Sequence, residues 1–170
     1  MSETMEKEIV GSAKARAGKY LTFKLGSEEF GLEILKVQEI IQMQSITRVP
    51  RTPEFVRGVI NLRGKVIPVV DLRLKFGMEP AEDTERTCIV VVQIRNATSV
   101  VVMGTIIDEV REVLDIPEAS IEDTPSFGTS IDTEFILGMG KIGQNVKILL
   151  DIDKVLSAQE ITNVAAAAHA

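Results

Sequence analysis

The chain repeats part of its own sequence, and this repeat constrains the possible folds more than any other feature. Residues 54–71 return 80 positions later as residues 134–151. A repeat of this length predicts two structural units that contain the same elements in the same order. The corresponding positions are Glu54 and Glu134, Phe55 and Phe135, Gly58 and Gly138, Val69-Val70 and Leu149-Leu150, and Asp71 and Asp151.

Short strands and tight turns are predicted in both halves. From Lys19, apolar and polar residues alternate, which is typical of a half-buried strand with Leu21, Phe23 and Leu25 on its apolar face. A strand from about Val37 is predicted to follow a short helical turn. The other predicted elements are a helical turn at 53–56 capped by Thr52, strands at 59–62 and 66–70 around the turn Arg63-Gly64, a helix between Asp71 and Gly77, strands at 88–94, 99–106, 110–114 and 146–150, and a closing helix from Asp151 to about Val164.

The predicted organisation is a flexible arm at 1–17, a first barrel-like half at 18–84, a second at 85–158, and a helix end and tail at 159–170. The boundary between the halves falls in residues 78–86, which contain Pro80 and four acidic residues. Five short strands in each half predict a small curled barrel, because closure removes exposed strand edges. The predicted fold class is therefore all-β with short helices, in two packed barrels. The sequence leaves open which strands complete which barrel, including an exchange of strands between the halves.

Composition limits the classes of partner. The chain has 170 residues, of which 45% are hydrophobic and only 4% aromatic, so Val, Ile and Leu must fill the core. These residues favour strands. A net charge of −6 argues against binding to nucleic acid or to an anionic membrane surface. Because no apolar run reaches the length of a membrane span and Cys88 is the single cysteine, we expect a cytoplasmic protein without membrane insertion or disulfides.

Catalytic chemistry is poorly represented in the sequence. The single histidine, His169, lies in the tail, which argues against a Ser-His-Asp triad and a histidine metal site. Residues 138–143 fit the dinucleotide motif G-x-G-x-x-G, but a strand is predicted to follow them where the motif requires a helix. Cys88 begins an apolar strand and is expected to be an inert buried thiol. We predict no enzymatic activity, no cofactor and no metal.

Several motifs, in the right order, resemble the CheW-like domain family. Residues 58–64 with 67–72 are similar to its signature, and residues 30–40 to the stretch before it. Residues 107–113 and 138–140 are similar to the motifs of its second half. The resemblance covers about residues 18–158. It implies two SH3-like five-stranded β-barrels with a C-terminal helix. It also implies a chemotaxis adaptor that couples the cytoplasmic tips of chemoreceptors to the regulatory domain of the histidine kinase CheA in signalling arrays.

The resemblance also implies candidate binding residues. A helical receptor tip would dock in the apolar contact between the halves, and the matching motifs supply its candidate contacts. Core packing is the alternative explanation for each valine among them. Arg63 lies in a hairpin turn and is predicted to pair with Glu39 across the mouth of the groove. The receptor candidates are Val37, Glu39, Arg63, Val110, Val113 and Gly138, and the kinase candidates are Phe127 and Arg57.

Two other functions are alternatives to an adaptor. One is a double-barrel carrier that binds a small molecule without catalysis, which requires a cavity with converging polar groups. The other is an enzyme that relies on carboxylates alone. The sequence distinguishes neither the class of receptor nor the kind of motility that an adaptor would serve.

Overall fold

The computed structural model describes residues 17–95, 99–125, 134–157, 160 and 164. The predicted all-β class with short helices is confirmed. Within these residues, no helix is long and apolar enough to cross a membrane. The elements are β1 (Gly18–Leu25), β2 (Glu28–Glu33), a 3-10 turn (Ile34–Lys36), β3 (Val37–Gln42), β4 (Val56–Leu62), β5 (Lys65–Asp71), α1 (Leu72–Lys75), β6 (Cys88–Arg95), β7 (Val100–Ile107), β8 (Glu109–Ile116), a 3-10 turn (Glu118–Ser120), β9 (Ile121–Glu122), β10 (Ile136–Ile142), β11 (Asn145–Leu150) and α2 (Ile152–Val155).

The strands form two sheets, and each sheet takes strands from both halves of the sequence. The six-stranded sheet has the order β8-β1-β2-β11-β10-β9, and the five-stranded sheet has the order β3-β6-β7-β5-β4. The hairpin β1–β2 therefore lies among second-half strands, and the hairpin β6–β7 lies among first-half strands. Each hairpin is joined to the next strand by a parallel pairing, β2 with β11 and β7 with β5. The halves have thus exchanged their first hairpins.

The internal repeat corresponds to equivalent local structure. Asp71 and Asp151 each begin a short helix, and their side chains accept a hydrogen bond from the backbone N–H two residues later. Their own N–H groups donate to the carbonyls of Phe55 and Phe135 at 2.7 and 2.8 Å. Both hairpins carry a bulge one residue before the repeated glycine, since the register shifts between Val56 and Gly58 and between Ile136 and Gly138. The repeated residues therefore build the same cap, turn and bulge twice.

Three apolar clusters stabilise the two sheets. We call the largest the intersheet core, because it takes residues from both sheets, among them Leu21, Phe23, Leu32, Val90, Val92 and Met103. The five-stranded sheet has a smaller cluster around Ile67 and Val91, and the six-stranded sheet has one around Tyr20 and Leu149.

The arrangement of these clusters buries both faces of β1. Phe23 contributes to the intersheet core, whereas Tyr20 packs inside the six-stranded sheet. Thr22 is also buried, and its hydroxyl donates to the Glu112 carbonyl at 2.7 Å. The prediction of a half-buried first strand was therefore wrong. Because β1 lies between two apolar clusters, the alternation of apolar and polar residues in its sequence does not mark a solvent-exposed face at Tyr20 and Thr22.

Neither sheet closes into a barrel through pairing of its two edge strands in the part of the chain that the structure describes. In the five-stranded sheet, the chain that leaves β3 crosses to the opposite edge, where Thr47 pairs with Val59 of β4. Val59 N–H donates to the Thr47 carbonyl at 2.8 Å. The sheet is therefore curled enough for its first strand to lead directly to its last.

Two predicted helical segments differ from the structure. Residues 53–56 form a hydrogen-bonded turn rather than a helix, and the Thr52 hydroxyl donates to the Val49 carbonyl instead of capping it. The closing helix ends at Val155, because Leu156 adopts an extended conformation. Ser157 and Glu160 then bond each other reciprocally through side chain and backbone, in the pattern of a capping box. The predicted N-terminal arm and C-terminal tail lie outside the described residues, except for Ala17, Glu160 and Val164.

A substitution at the repeated glycine Gly58 tests whether the close approach of Thr47 to β4 stabilises the five-stranded sheet. It has φ +144, and a Cβ there would lie 2.1 Å from the Thr47 carbonyl oxygen. Gly58→Ala is expected to cost about 3 kcal/mol or more, since the clash falls on the backbone of the segment after β3, where Thr47 pairs with β4. Gly64→Ala is the control, because Gly64 has φ +87 but open space around its Cβ position. It should cost about 1 kcal/mol. Equal losses in denaturant unfolding would contradict this account.

Candidate partner-binding surfaces

The structure divides the receptor candidates between the two sheets. Val37 and Glu39 lie on β3, an edge strand of the five-stranded sheet, and Arg63 lies in the turn between β4 and β5. Val110 and Val113 lie on β8, which is an edge strand of the six-stranded sheet, and Gly138 lies on β10. The strands β3 and β8 occupy equivalent places in their sheets. Val37 and Glu39 therefore lie on one edge strand, and Val110 and Val113 lie on the equivalent edge strand of the other sheet. Arg63 and Gly138 lie in the hairpins at or near the opposite edge of each sheet.

Arg63 and Glu39 form the ion pair that the sequence predicted. The Arg63 backbone has φ 50 and Gly64 has φ 87, which are the positive angles of a tight hairpin turn. The Gly64 N–H donates to Asn61 Oδ1 at 2.7 Å and fixes this turn. Because β3 and β4 are opposite edges of the sheet, the ion pair connects those edges through side chains. The Arg63 side chain is 69% exposed and that of Glu39 only 22%, so solvent reaches the pair mainly from the arginine side.

The valines do not share one environment. Val37 and Val110 are half-buried and pack against the intersheet core, which agrees with the core-packing explanation for both. Val113 is 49% exposed on β8, and Ile40, at the equivalent place on β3, is 45% exposed. Gly138 is buried in β10. Val113 is therefore the candidate valine with an open apolar surface, and Ile40 is its unpredicted counterpart.

Leu35 is an exposed apolar residue that the sequence interpretation missed. It is 94% exposed, the highest value among the large hydrophobic residues of the described chain. Residues three apart lie on one face of a 3-10 turn, and here Ile34 and Val37 both pack against the intersheet core. Leu35 is consequently turned outward. The three-residue spacing of Ile34 and Val37 was the available signal, but it requires knowledge that the turn is 3-10.

The structure describes only one of the two kinase candidates. Phe127 lies outside the described residues. Arg57 occupies the bulge of β4, where Nη1 lies 3.1 Å from the Asp71 carboxylate and Nη2 lies 3.6 Å from that of Asp83. Its guanidinium therefore connects Asp83, in the boundary segment 78–86 between the halves, to Asp71, the cap of α1. At the equivalent position the second half has Leu137, so Asp151 has no arginine partner there.

Ion pairs connect the halves of the sequence. Arg73 of α1 donates to Asp108, which also accepts from the Gly26 N–H at 2.7 Å. Burial alone would raise the pKa of Asp108, but these hydrogen bonds, chiefly that from Arg73, hold that pKa below its usual value. Lys147 of β11 pairs with Glu29 of β2 and lowers the pKa of that glutamate. Both contacts stabilise the exchanged arrangement. The Lys147–Glu29 pair joins neighbouring strands of the six-stranded sheet, and the Arg73–Asp108 pair connects α1 to the segment between the two sheets.

A cleft of about 390 Å³ lies beside α1 and α2. Lys75, on one wall, donates to both carboxylate oxygens of Glu160 at 2.8 and 2.9 Å and lies 5.0 Å from the Phe55 ring centroid. Glu160 also forms hydrogen bonds with Ser157. These three polar side chains therefore bond within the protein and are not free to bind a ligand in the cleft. The cleft is lined by Lys75, Phe76, Glu134, Phe135, Lys154, Val155, Ser157 and Glu160.

Reactive groups are scarce in the described part of the chain. Over those residues, no three His, Cys, Asp or Glu side chains cluster closely enough to hold a metal ion. Cys88 is half-buried, and burial raises the pKa of its thiol, so the reactive thiolate is disfavoured at neutral pH. Gly138 and Gly140 of the dinucleotide-like motif lie within β10, which is followed by β11 rather than by a helix.

Comparison with known proteins gives consistent matches over most of the chain. A family model, the CheW-like domain, matches residues 19–160. Chemotaxis protein CheW of Klebsiella aerogenes is 39% identical over 145 residues, which cover 85% of each chain. Chemotaxis protein CheW of Thermotoga maritima is 33% identical over 84% of this chain and 88% of that protein. The crystal structure of the scaffolding protein TtCheW from Thermoanaerobacter tengcongensis matches with a TM-score of 0.74 and 37% identity, over 85% of this chain and 96% of that chain.

The Arg63–Glu39 ion pair is expected to set local geometry with little effect on global stability. In a double-mutant cycle of Arg63→Ala and Glu39→Ala, the coupling energy should be about 0.2–1 kcal/mol, because the arginine is largely exposed. Chemical denaturation of the four proteins measures it. A coupling of several kcal/mol would show that the pair holds the sheet closed.

The helix caps of the two halves should respond differently to the loss of their carboxylate charge. Asp71→Asn removes a charged partner of Arg57 and should cost about 1–2 kcal/mol. Burial, reinforced by Asp153, raises the pKa of Asp151, so Asp151→Asn should cause no loss at neutral pH while it still caps α2. A raised carboxyl pKa means that wild-type stability increases as pH falls through that pKa. Any advantage of Asp151→Asn should therefore shrink toward acid pH, and equal losses at both caps would contradict the assignment.

Proposed function

The chain belongs to the CheW-like domain family, and from this membership we propose that it is a chemotaxis adaptor that couples chemoreceptor tips to the histidine kinase CheA. The observation that carries the proposal is the extent of the family match. Residues 19–160 include nearly all of both sheets and the helix caps, so the whole two-sheet body is shared. The relatives are chemotaxis proteins, and the matched crystal structure is of a scaffolding protein.

An adaptor must bind two partners at once, and the fold offers separate surfaces for this. The edge strands β3 and β8 lie on different sheets, and the hairpin tips of β4–β5 and β10–β11 lie away from the intersheet core. The Arg73–Asp108 ion pair and the intersheet core keep these surfaces in fixed relation. A preorganised body loses little entropy when the second partner binds, which favours a ternary complex.

The receptor tip is proposed to bind along β3 and the adjoining turn. Glu39 and Arg63 supply a fixed polar pair there, and Ile40 supplies exposed apolar surface. Val113 offers comparable surface on β8. Val37, Val110 and Gly138 would act by shaping the groove, since they are half-buried or buried. A helix that lays its apolar face on such a surface is a common mode of recognition.

The kinase is proposed to bind at an end of one sheet, because the regulatory domain of CheA resembles this protein and can form a pseudo-symmetric contact. Phe127 is the proposed anchor, since a buried aromatic residue often dominates an interface. Arg57 is the second candidate. Its existing bonds to Asp71 and Asp83 suggest that it would act by supporting the linker.

The adaptor is proposed to act in the cytoplasm and without catalytic turnover. The alternative function, a small-molecule carrier, is less well supported, because Lys75, Ser157 and Glu160 in the cleft bond one another. A carrier would melt at a higher temperature with its ligand present. An adaptor would co-elute with its protein partners and show no such dependence.

The proposed function predicts a ternary complex. The purified chain, a CheA regulatory domain and a chemoreceptor tip fragment should co-elute in size-exclusion chromatography as one species that contains all three. The two-component mixture of kinase domain and receptor fragment is the control and should co-elute far less. If the chain binds neither component, or if each displaces the other, the adaptor function is wrong.

The two proposed surfaces should respond to different substitutions. Arg63→Ala should weaken receptor binding by about tenfold or less while leaving kinase binding intact, because an exposed polar contact contributes modestly. Phe127→Ser should weaken kinase binding more than receptor binding. Titration calorimetry with each partner separately measures both effects. The opposite ranking would contradict the assignment of the two surfaces.

A further inference from the structure

The backbone pairing that joins an exchanged hairpin to its sheet is the same in both sheets. Gly31 of β2 lies beside Leu149 of β11, and Gly104 of β7 lies beside Val69 of β5. Leu149 and Val69 are corresponding positions of the repeat. A Cβ would lie 2.9 Å from Leu149 at the first glycine and 2.6 Å from Ile89 at the second, so both places require a glycine. The backbone therefore permits each hairpin to pair with either acceptor strand, β5 or β11.

Two repeats could also fold without an exchange, each half keeping its own first hairpin. The hairpin β1–β2 would then pair with β5, and the hairpin β6–β7 would pair with β11. Along the chain, β2 is much closer to β5 than to β11. A shorter loop costs less entropy to close, which favours the unexchanged arrangement for this hairpin. Side chains must therefore favour the exchanged arrangement that the structure has.

One pair of neighbouring side chains differs in polarity between the two sheets. Two positions before the paired Leu149 and its glycine, Lys147 of β11 and Glu29 of β2 form an ion pair. The Lys147 side chain is only 8% exposed. The equivalent positions in the five-stranded sheet are Ile67 of β5 and Val102 of β7, which both belong to the small apolar cluster of that sheet. Each acceptor strand therefore matches the hairpin that it receives, charge with opposite charge and apolar with apolar.

The unexchanged arrangement would break this match in both sheets. With β1–β2 on β5, Glu29 would lie beside Ile67. With β6–β7 on β11, the buried ammonium of Lys147 would lie beside Val102. A buried charge without its ion-pair partner is strongly destabilising. The two mismatches would occur together, because each hairpin that leaves its acceptor strand makes room for the other.

We propose that the Lys147–Glu29 ion pair selects the exchanged arrangement, by matching the β1–β2 hairpin to β11 and excluding it from β5. The pair then determines which arrangement the repeats adopt and adds little to the stability of that arrangement. Replacement of a buried ion pair by apolar residues of similar volume is often neutral or stabilising. Selection and stabilisation therefore have different experimental consequences. The inference does not rest on the adaptor function, and its test needs no partner.

A disulfide reporter measures how much of the full chain is exchanged. Lys19 of β1 and Asp115 of β8 are Cα partners with exposed side chains, and their strands are neighbours only in the exchanged arrangement. Opposed residues of this kind have the spacing that a disulfide requires. Lys19→Cys/Asp115→Cys is introduced with Cys88→Ser, and the chain is refolded from denaturant before mild oxidation. Alkylation and mass spectrometry of the monomer then measure the linked fraction, which should include nearly all chains with the native ion pair.

The test variant makes the two sheets alike in polarity. In this reporter chain, Glu29→Val/Lys147→Ile should lower the linked monomer by about half or more, because either hairpin now fits either acceptor strand. The melting temperature of the linked monomer should not fall. Glu122→Val/Lys141→Ile is the matched control, since it removes a Glu–Lys pair from the same sheet but between β9 and β10, which both belong to the second half. The control should leave the linked fraction unchanged.

Each other outcome contradicts the inference. If Glu29→Val/Lys147→Ile is linked as completely as the chain with the native pair, the ion pair does not select the arrangement. An equal fall in the control would show a general effect of lost surface charge on refolding. If the test variant gives no folded monomer, or a linked monomer with a much lower melting temperature, the pair acts through stability and not through selection.

Discussion

The exchange of the first hairpins between the two halves is the constraint on which the rest of the structure depends. Each sheet lacks two inner strands until the other half supplies them. The donated strands β1 and β6 then contribute both to their own sheet's cluster and to the intersheet core. Burial of both faces of these strands removes apolar surface from water, and this burial is the main source of stability in a chain poor in aromatic residues.

The exchange also explains why the surfaces are fixed relative to one another. Aromatic stacking runs from Phe30 to Phe76 to Phe135, with ring centroids 5.8 and 5.0 Å apart, and so connects elements of both halves. The Arg73–Asp108 and Lys147–Glu29 ion pairs connect them at other points. A body held in this way cannot easily signal by moving its sheets apart. It is suited to hold partners in a defined geometry, which agrees with a scaffolding role.

Local sequence was a good guide wherever a few consecutive residues decide the structure. The cap at Asp71, the helix end before Gly77 and the turn at Arg63-Gly64 were predicted correctly, because each depends on backbone angles or on a hydrogen bond within four residues. The Arg63–Glu39 pair was also predicted. The buried second face of β1 and the break of the closing helix at Leu156 were not. Both depend on what packs against the segment, which no local pattern records.

The sequence by itself determined the repeated unit: its strands, its turns, its capped helices and its family. Those features follow from side-chain alternation, from glycine at positive φ and from short-range hydrogen bonds, all of which operate between near neighbours. Only the tertiary structure decided which hairpin completes which sheet, which valines face the core, and that Leu35 faces outward from its 3-10 turn. These outcomes depend on contacts between residues far apart in sequence, whose energies become available only when both halves are folded together.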